Sequence, residues 1–148
     1  MSVKKVYLDN CCFNRPYDDQ TQLRIELETK SKLNIQQQIV EKKLLLVSSV
    51  ILEFENNDNP YFIRKIAVMN FLKNAREYVD ESEEMFNLAR EINQKGIKIK
   101  DASHLACAII AKCDYFLTTD DRLLKYKDDR IRIINPIDFI LIKGGNET

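Results

Sequence analysis

Short apolar runs alternate along this chain with longer segments in which apolar residues recur at helical spacing. Runs of this kind are typical of strands buried on both faces of a parallel sheet. Strands that alternate with helices form units joined by right-handed crossovers. The pattern therefore predicts an α/β fold, a three-layer α/β/α sandwich around a central, mostly parallel five-stranded sheet. The predicted strands are Lys5–Leu8, Leu44–Val47, Glu77–Val79, Tyr115–Thr118 and Ile131–Ile134.

The segments between these strands carry helix signals, apart from Asn10–Gln20, which reads as a polar loop. A long helix is predicted from about Thr21 to Lys42. Ser48 or Ser49 can cap the next helix, and Gly96 is suited to end a later one. The remaining predicted helices begin near Val50, at Asn59-Pro60 and at Ser82, or span Asp101–Lys112 and Asp121–Lys127.

Composition limits the classes of protein to which the chain can belong. Its 148 residues suit one domain, residues 1–148, and its 23 basic and 23 acidic residues cancel. A globally basic nucleic-acid binder is therefore not indicated, although a local basic patch is compatible with this balance. No run approaches the ~18 apolar residues of a membrane span, and no signal-peptide pattern is present. The four cysteines lack C-x-x-C spacing, which favours reduced thiols and a cytoplasmic location.

Four acidic residues lie at the ends of predicted strands or in the first turns of predicted helices. They are Asp9, Glu53, Asp101 and Asp120. In an open parallel sheet the carboxyl ends of the strands form the edge at which ligands bind. Carboxylates gathered there repel one another unless a cation joins them, so the pattern indicates a divalent-metal pocket.

Each acidic residue also has an ordinary structural interpretation. Asp101 can complement a helix dipole, and Asp120 can cap its short helix. Glu53 has a rival in Glu55, because residues two apart on a helix point to different faces. Glu53 is preferred because it lies one turn after Ser49 and nearer the end of the strand.

Four segments together resemble the PIN-domain nucleases, in that family's order and at spacings that fit its small members. The resemblance covers nearly the whole chain, from the first strand to Ile131–Asn135. The segments are Val6-Tyr7-Leu8-Asp9-Asn10, Ser48-Ser49-Val50-Ile51-Leu52-Glu53, Lys100-Asp101-Ala102-Ser103-His104-Leu105-Ala106 and Phe116-Leu117-Thr118-Thr119-Asp120.

The resemblance implies a Mg²⁺- or Mn²⁺-dependent ribonuclease that hydrolyses RNA phosphodiester bonds through its carboxylates. It implies Asp9 and Asp120 as direct ligands, with Asp101 sharing the ligation. Glu53 then binds through water or orients the attacking water, and the Thr118 hydroxyl helps to order the site. Hard carboxylate oxygens suit Mg²⁺, which keeps several waters and leaves positions for phosphate.

The same resemblance implies partners. Relatives of this type include toxins of toxin–antitoxin pairs, which commonly form homodimers and are inhibited by an antitoxin segment laid into the acidic groove. Such a segment is expected to present Arg or Lys to the carboxylates. Two alternatives remain. One is an inactive PIN-like module that binds RNA or protein, which the retention of all four acids disfavours. The other is a Mg²⁺-binding receiver domain, which fits poorly because Asp9 is followed by Asn10.

A few other residues invite functional interpretations. His104, the only histidine, is expected to pack or cap rather than catalyse. Cys11 and Cys12 lack a visible activating neighbour, so packing is preferred for both. Arg15 and Tyr17 can contact phosphate and base, but pairing of Arg15 with Asp18 or Asp19 is favoured. Basic residues near two of the acids can supply local positive potential or simply face solvent; they are Lys98, Lys100, Arg122, Lys125 and Lys127.

Overall fold

The sheet of this protein is five-stranded and parallel throughout. The structure is a computed structural model that describes the backbone of residues 3–146 and the side chains of residues 3–142. The strand order is β3-β2-β1-β4-β5, and every pairing is parallel. The predicted sheet is thus confirmed, with strand bounds that agree within two residues. The strands are β1 (Lys4–Leu8), β2 (Leu44–Ser49), β3 (Glu77–Val79), β4 (Tyr115–Leu117) and β5 (Arg132–Ile134).

Helices connect and flank these strands. Ser49 and Ser82 each cap a helix by accepting a hydrogen bond from a backbone N–H three residues later, as expected. Gly96 adopts a left-handed φ of +100°, which suits the turn after its helix. The helices are α1 (Asn10–Asn14), α2 (Leu23–Val40), α3 (Val50–Asn57), α4 (Phe62–Leu72), α5 (Glu83–Asn93), α6 (Ile99–Ile110), α7 (Asp121–Lys125) and α8 (Pro136–Asn146).

Two expectations about local structure are wrong, and one helix was not predicted. The polar segment Asn10–Gln20 contains α1 and a short 3-10 helix, Arg15–Tyr17, because Cys12 and Phe13 turn inward and are buried. Pro60 precedes α4 rather than opening it. Asn135-Pro136 ends β5 and also starts α8, since the Asn135 side chain accepts a hydrogen bond from the backbone N–H of Ile137.

The strand order places a crevice above β1 and β4. The chain builds β1, β2 and β3 toward one edge of the sheet and then returns to add β4 on the other side of β1. Connections leave neighbouring parallel strands in opposite directions at such a switch point, so their carboxyl ends are left open for ligands. Asp9 directly follows β1, and Thr118 directly follows β4.

The core beneath this crevice is aromatic and apolar. Tyr7 of β1 stacks on Phe116 of β4, with ring centroids 5.3 Å apart. Half of the residues of the helix α6 are buried, including Leu105 and Cys107, where it packs against α5 and β2. Packing of this kind holds the strand ends in fixed positions, because well-packed interiors resist displacement. Among the described helices, none is long and apolar enough to cross a membrane.

Candidate active site

Asp9 lies at the centre of the crevice and is largely buried. It leaves β1 at the switch point, where its backbone N–H donates to the carbonyl of Leu117 on β4. Its Oδ1 accepts a hydrogen bond of 2.8 Å from the backbone N–H of Asn10, at the start of α1. Burial and the neighbouring Cys11 raise the pKa of the Asp9 carboxyl well above its usual range. The ionised form of Asp9 therefore needs a nearby positive charge.

Thr118 links Asp9 to the backbone at Asp120. Its hydroxyl donates to Asp9 Oδ2 at 2.8 Å and accepts from the backbone N–H of Asp120 at 3.1 Å. Since Thr118 is fully buried and follows β4 directly, both contacts are set by the sheet. The structure thus places the hydroxyl where it can fix the orientation of the Asp9 carboxylate.

Asp101 and Asp120 face a common cavity of about 280 Å³ beside Asp9's crevice. Asp120 caps α7 by accepting from the backbone N–H of Arg122, while Asp101 lies in the first turn of α6. Partial burial and the charge of Asp120 raise the pKa of Asp101. The two carboxylates are therefore close enough to repel, in addition to serving the cap and dipole roles that the sequence allowed.

The glutamate that reaches Asp9 is Glu55, whereas the sequence favoured Glu53. Oxygen and nitrogen atoms of Asp9, Glu55 and His104 lie within 4.8 Å of one another. Glu53 instead faces Tyr78 on the edge strand β3, in a separate cavity. The placement expected for Glu53 is therefore corrected.

The phase of α3 explains the correction. Residues that are two positions apart on a helix are separated by about 200° around its axis, so only one of these glutamates can face the crevice. Leu52 and Asn56 are buried, and this fixes which stripe of α3 turns inward. Ile51 packs against the core on the side of Glu55, one turn away from it. Leu52 and Asn56 lie midway between the two glutamates around the helix, so no local signal in the sequence separated them.

His104 connects Glu55 to the sheet. Its Nδ1 is 2.6 Å from the hydroxyl of Tyr7, which in turn lies 2.6 Å from the Ser49 hydroxyl. Its Nε2 contacts Glu55 Oε1. Although partial burial acts to raise the pKa of Glu55, the hydrogen bond and charge of His104 lower it. His104 is fully buried, so its position suits holding Glu55 in place, which agrees with the packing role expected from sequence.

A network of ion pairs and hydrogen bonds from α2 holds the segment that carries Asp120. Arg24 donates to the carbonyl of Thr119 at 3.1 Å and pairs with Asp121 through two hydrogen bonds. Glu28, fully buried, pairs with both Arg24 and Arg15. Sequence reasoning did not find Arg24 and Glu28, because a pair four residues apart on a helix also suits an ordinary surface ion pair.

The loop before α2 is ordered by the same network. Arg15 pairs with Asp18 at 2.9 Å as well as with Glu28, so the structural role preferred for Arg15 is confirmed. Asp19 accepts hydrogen bonds from Thr21 rather than from Arg15. Tyr17, at the end of the 3-10 helix, remains partly exposed.

Basic side chains flank the acidic residues. Lys98 and Arg122 line the cavity that holds Asp101 and Asp120. Lys100 lies near Glu55. Burial acts to raise the pKa of the Glu55 carboxyl, and the charge of Lys100 adds to the larger effect of His104 in lowering it. By contrast, Lys127 contacts the carbonyl of Leu124 on α7. Three of the five basic residues thus lie beside the acidic residues, where they can add local positive potential.

Cys11 packs against the same carboxylate. Its Sγ lies 3.5 Å from Asp9 Oδ2 and 3.4 Å from the Thr118 hydroxyl, and it accepts from the backbone N–H of Thr119. Hydrogen bonding, first from Cys12, lowers the pKa of the Cys11 thiol to about 6. All four cysteines are free thiols. The thiol of Cys11 therefore takes part in packing around Asp9, as the sequence suggested.

The donor set of this site fits a divalent cation. Asp9 and Glu55 offer carboxylate oxygens at ligand spacing, whereas Asp101 and Asp120 lie outside that group and line the neighbouring cavity. Such oxygens suit Mg²⁺ and Mn²⁺, whereas imidazole is a better ligand for softer ions. Burial raises the pKa of Asp9 and of Asp101, and a cation bound nearby would favour their ionised forms.

Comparison with known proteins agrees with this fold. A crystal structure of VapBC2 from Rickettsia felis, bound to a DNA fragment from their promoter, superposes with a TM-score of 0.58. The similarity covers 88% of this chain and 98% of the matched chain at 17% sequence identity, so it bears on the fold alone. Among curated protein sequences, none matches the chain. The model of the PIN domain matches residues 7–129, a range that holds every acidic residue of the site, and the chain therefore belongs to the PIN domain family.

Proposed function

We propose that this protein is a divalent-metal-dependent endoribonuclease that hydrolyses RNA phosphodiester bonds with Mg²⁺ or Mn²⁺. The observation that carries the proposal is the approach of Asp9 and Glu55 to ligand spacing at the switch point of the sheet. We take the whole chain, residues 1–148, as one PIN-like domain.

The residues of the site have separate roles in this proposal. Asp9 and Asp120 hold the ion directly, Asp101 shares the ligation, and Glu55 takes the part first expected of Glu53. When bound, a divalent ion acidifies its water and neutralises charge that grows on the phosphoryl oxygens. Thr118 orients Asp9 through its 2.8 Å hydrogen bond, so that the carboxylate does not have to reorganise.

An aromatic and cationic cluster supports a nucleic-acid substrate. The guanidinium of Arg64 lies 3.9 Å from the ring centroid of Tyr61 and 4.6 Å from that of Tyr17. Both tyrosines are more than 40% exposed. Tyr17 ends the 3-10 helix that follows α1, and Tyr61 directly precedes α4. Exposed rings beside an arginine can stack on unpaired bases and contact phosphate. Lys98, Lys100 and Arg122 add positive charge nearer the carboxylates.

The proposed setting is a toxin–antitoxin pair in the cytoplasm. The similar fold in the VapBC2 complex supports an antitoxin partner, whose Arg or Lys would enter the acidic crevice. We also propose a homodimer. Its interface would cover apolar side chains that are exposed on α4, where Phe62 is 73% and Ile63 80% accessible.

Cleavage of defined RNAs tests the proposed activity. Purified protein is treated with EDTA and then assayed on labelled single-stranded RNAs with and without Mg²⁺ or Mn²⁺. We expect metal-dependent cleavage by the wild type and by Glu26→Gln, a control on the exposed part of α2. Asp9→Asn and Glu55→Gln should each lose at least a hundredfold in rate, the order found for single groups that act on the transition state. Undiminished cleavage by Asp9→Asn would refute the mechanism, and a folded wild type without cleavage would favour a binding module.

A further inference from the structure

His104 brings a nitrogen ligand to a site whose other donors are carboxylate oxygens. Its imidazole is fully buried, and its Nε2 points at Glu55 Oε1. Ligand atoms of Asp9, Glu55 and His104 all lie within 4.8 Å of one another, and we name these side chains the three-donor group. Because it combines an imidazole with two carboxylates, this group differs in chemistry from the all-oxygen sites that Mg²⁺ prefers.

The sheet holds the ring of His104 from its far side. Its Nδ1 lies 2.6 Å from the hydroxyl of Tyr7, and that hydroxyl lies 2.6 Å from the hydroxyl of Ser49. Tyr7 and Ser49 are both fully buried. Histidines that bind metal ions almost always form such a hydrogen bond through the second ring nitrogen, which fixes the ring and its tautomer. When Nδ1 donates to the Tyr7 oxygen, Nε2 has a lone pair for an ion.

The spacing of the three-donor group suits a four-coordinate ion. Zinc binds oxygen and nitrogen ligands at about 2.0–2.2 Å, so tetrahedral ligands lie about 3.4 Å apart. Because the donor atoms are within 4.8 Å of one another, side-chain movements of about 1 Å bring them to this spacing. Cys11 lies 3.5 Å from Asp9 Oδ2 but outside the group, so water supplies the fourth ligand.

An ion can reach the group past Glu55. The side chain of Glu55 is 16% exposed, whereas that of His104 is covered completely. Glu55 also lines a cavity of about 190 Å³, together with Phe54 and Lys100. A rotation of the Glu55 side chain toward this cavity uncovers Nε2 of His104. Its return then places the carboxylate on the ion, in place of the direct contact with His104.

We propose that Asp9, Glu55 and His104 bind Zn²⁺ and that the bound ion inhibits the protein. Sites that contain nitrogen ligands bind Zn²⁺ more tightly than Mn²⁺, and imidazole is a common ligand of zinc. Mg²⁺ instead favours oxygen ligands in octahedral geometry. The three-donor group therefore selects Zn²⁺ over the two ions proposed for catalysis.

Zinc and the catalytic ion compete because both need Asp9. Asp101 and Asp120 line the neighbouring cavity, outside the three-donor group. A zinc ion in the group draws Asp9 away from them and occupies Glu55, which the proposed mechanism gives to the attacking water. With three protein ligands it also keeps one open position, whereas cleavage needs positions for both water and phosphate. The inhibition rests on the proposed ribonuclease function, but the zinc binding does not.

Competition with a chromophoric metal indicator tests the binding. The full chain is stripped with EDTA, freed of the chelator and titrated with Zn²⁺ or Mn²⁺. We expect Zn²⁺ to bind at least a hundredfold more tightly than Mn²⁺. In His104→Asn the amide can still reach Tyr7 but not the ion, so Zn²⁺ affinity should fall at least tenfold and Mn²⁺ affinity less than threefold. Glu55→Gln should also weaken Zn²⁺ at least tenfold, whereas the matched change Glu53→Gln should not.

Co²⁺ in place of Zn²⁺ reports the ligands directly. Visible absorption typical of four-coordinate Co²⁺ should appear in the wild type and be lost in His104→Asn. A near-ultraviolet band of thiolate ligation would assign the ion to the free cysteines and overturn the proposal. If circular dichroism shows that His104→Asn does not fold, Tyr7→Phe carries the test. It removes the hydrogen bond to Nδ1 and should weaken Zn²⁺ binding about 10–100-fold.

RNA cleavage at a fixed Mn²⁺ concentration with rising Zn²⁺ tests the inhibition. Each variant is compared with its own rate without zinc, and His104→Asn should need at least tenfold more zinc for half-inhibition. A protein that binds Zn²⁺ as expected but cleaves no RNA would support the zinc site and refute the proposed function. An unchanged ratio of Zn²⁺ to Mn²⁺ affinity in folded His104→Asn, or full cleavage by the zinc-bound protein, would overturn the inference.

Discussion

Replacement of Glu55 should abolish the stabilisation that a divalent ion gives to the fold, while replacement of Glu53 should not. The variants Glu55→Gln and Glu53→Gln change neighbouring positions on one helix and keep the size of the side chain. Only Glu55 lies with Asp9 at ligand spacing. The two variants together therefore distinguish Glu55, the glutamate that the structure places beside Asp9, from Glu53, the one predicted by sequence.

The expected size of the effect follows from mass action. An ion at a hundred times its dissociation constant adds about 2.7 kcal/mol to the free energy of unfolding. For a chain of 148 residues, 1 kcal/mol shifts the melting temperature by about 3 °C, so the wild type should gain about 8 °C. Loss of an outer-shell group weakens metal binding about 10–100-fold, and loss of a ligand should do at least as much. At the same ion concentration a hundredfold weaker site gives about 0.4 kcal/mol, or about 1 °C.

Thermal unfolding monitored by fluorescence measures these shifts. Each variant is stripped with EDTA and melted with and without MnCl₂ or MgCl₂. The metal-induced change is compared rather than the melting temperature itself, because Glu55→Gln also alters the contact with His104. A full shift in Glu55→Gln together with none in Glu53→Gln would refute the assignment of Glu55.

Three further variants test the charges around the site. Asp9→Asn should melt at or above the metal-free wild type at pH 7. Burial raises the pKa of Asp9, so the folded state binds a proton there more readily than the unfolded state does. The stability of the wild type therefore falls as the pH rises through that pKa, whereas Asn has no such dependence. A lower melting temperature for Asp9→Asn across pH 5–8 would contradict this. His104→Ala should lose about 1–3 kcal/mol, because Glu55 and Tyr7 each lose a hydrogen bond, yet keep most cleavage activity while folded. Loss of cleavage with an intact fold would give His104 a direct role. Lys32→Met should stabilise the protein at pH 7 by at most about 3 kcal/mol, since burial lowers the pKa of Lys32 to about 8. Urea titrations should show that this gain fades between pH 8 and about 10.4, as wild-type stability rises while Lys32 loses its proton.

Most of the fold could be predicted because its signals are local. Buried strands such as Leu44–Ser49 are short apolar runs, and capping serines such as Ser82 mark the starts of helices. The helix α1 was missed because its five residues are too few to show a period, and only tertiary packing reveals that Cys12 and Phe13 turn inward. The helix α8 was missed although Asn135-Pro136 carried a start signal.

The sequence by itself determined which carboxylates stand near strand ends, since Asp9 directly follows one short apolar run that predicts a buried strand and Asp120 comes shortly after another. The tertiary structure alone decided the choice between Glu53 and Glu55. That choice depends on the rotation of α3 about its axis, which is fixed by the burial of Leu52 and Asn56 against distant parts of the chain. Likewise, the three partners of Glu28 lie on three different segments, so its burial and charge balance arise only once those segments meet.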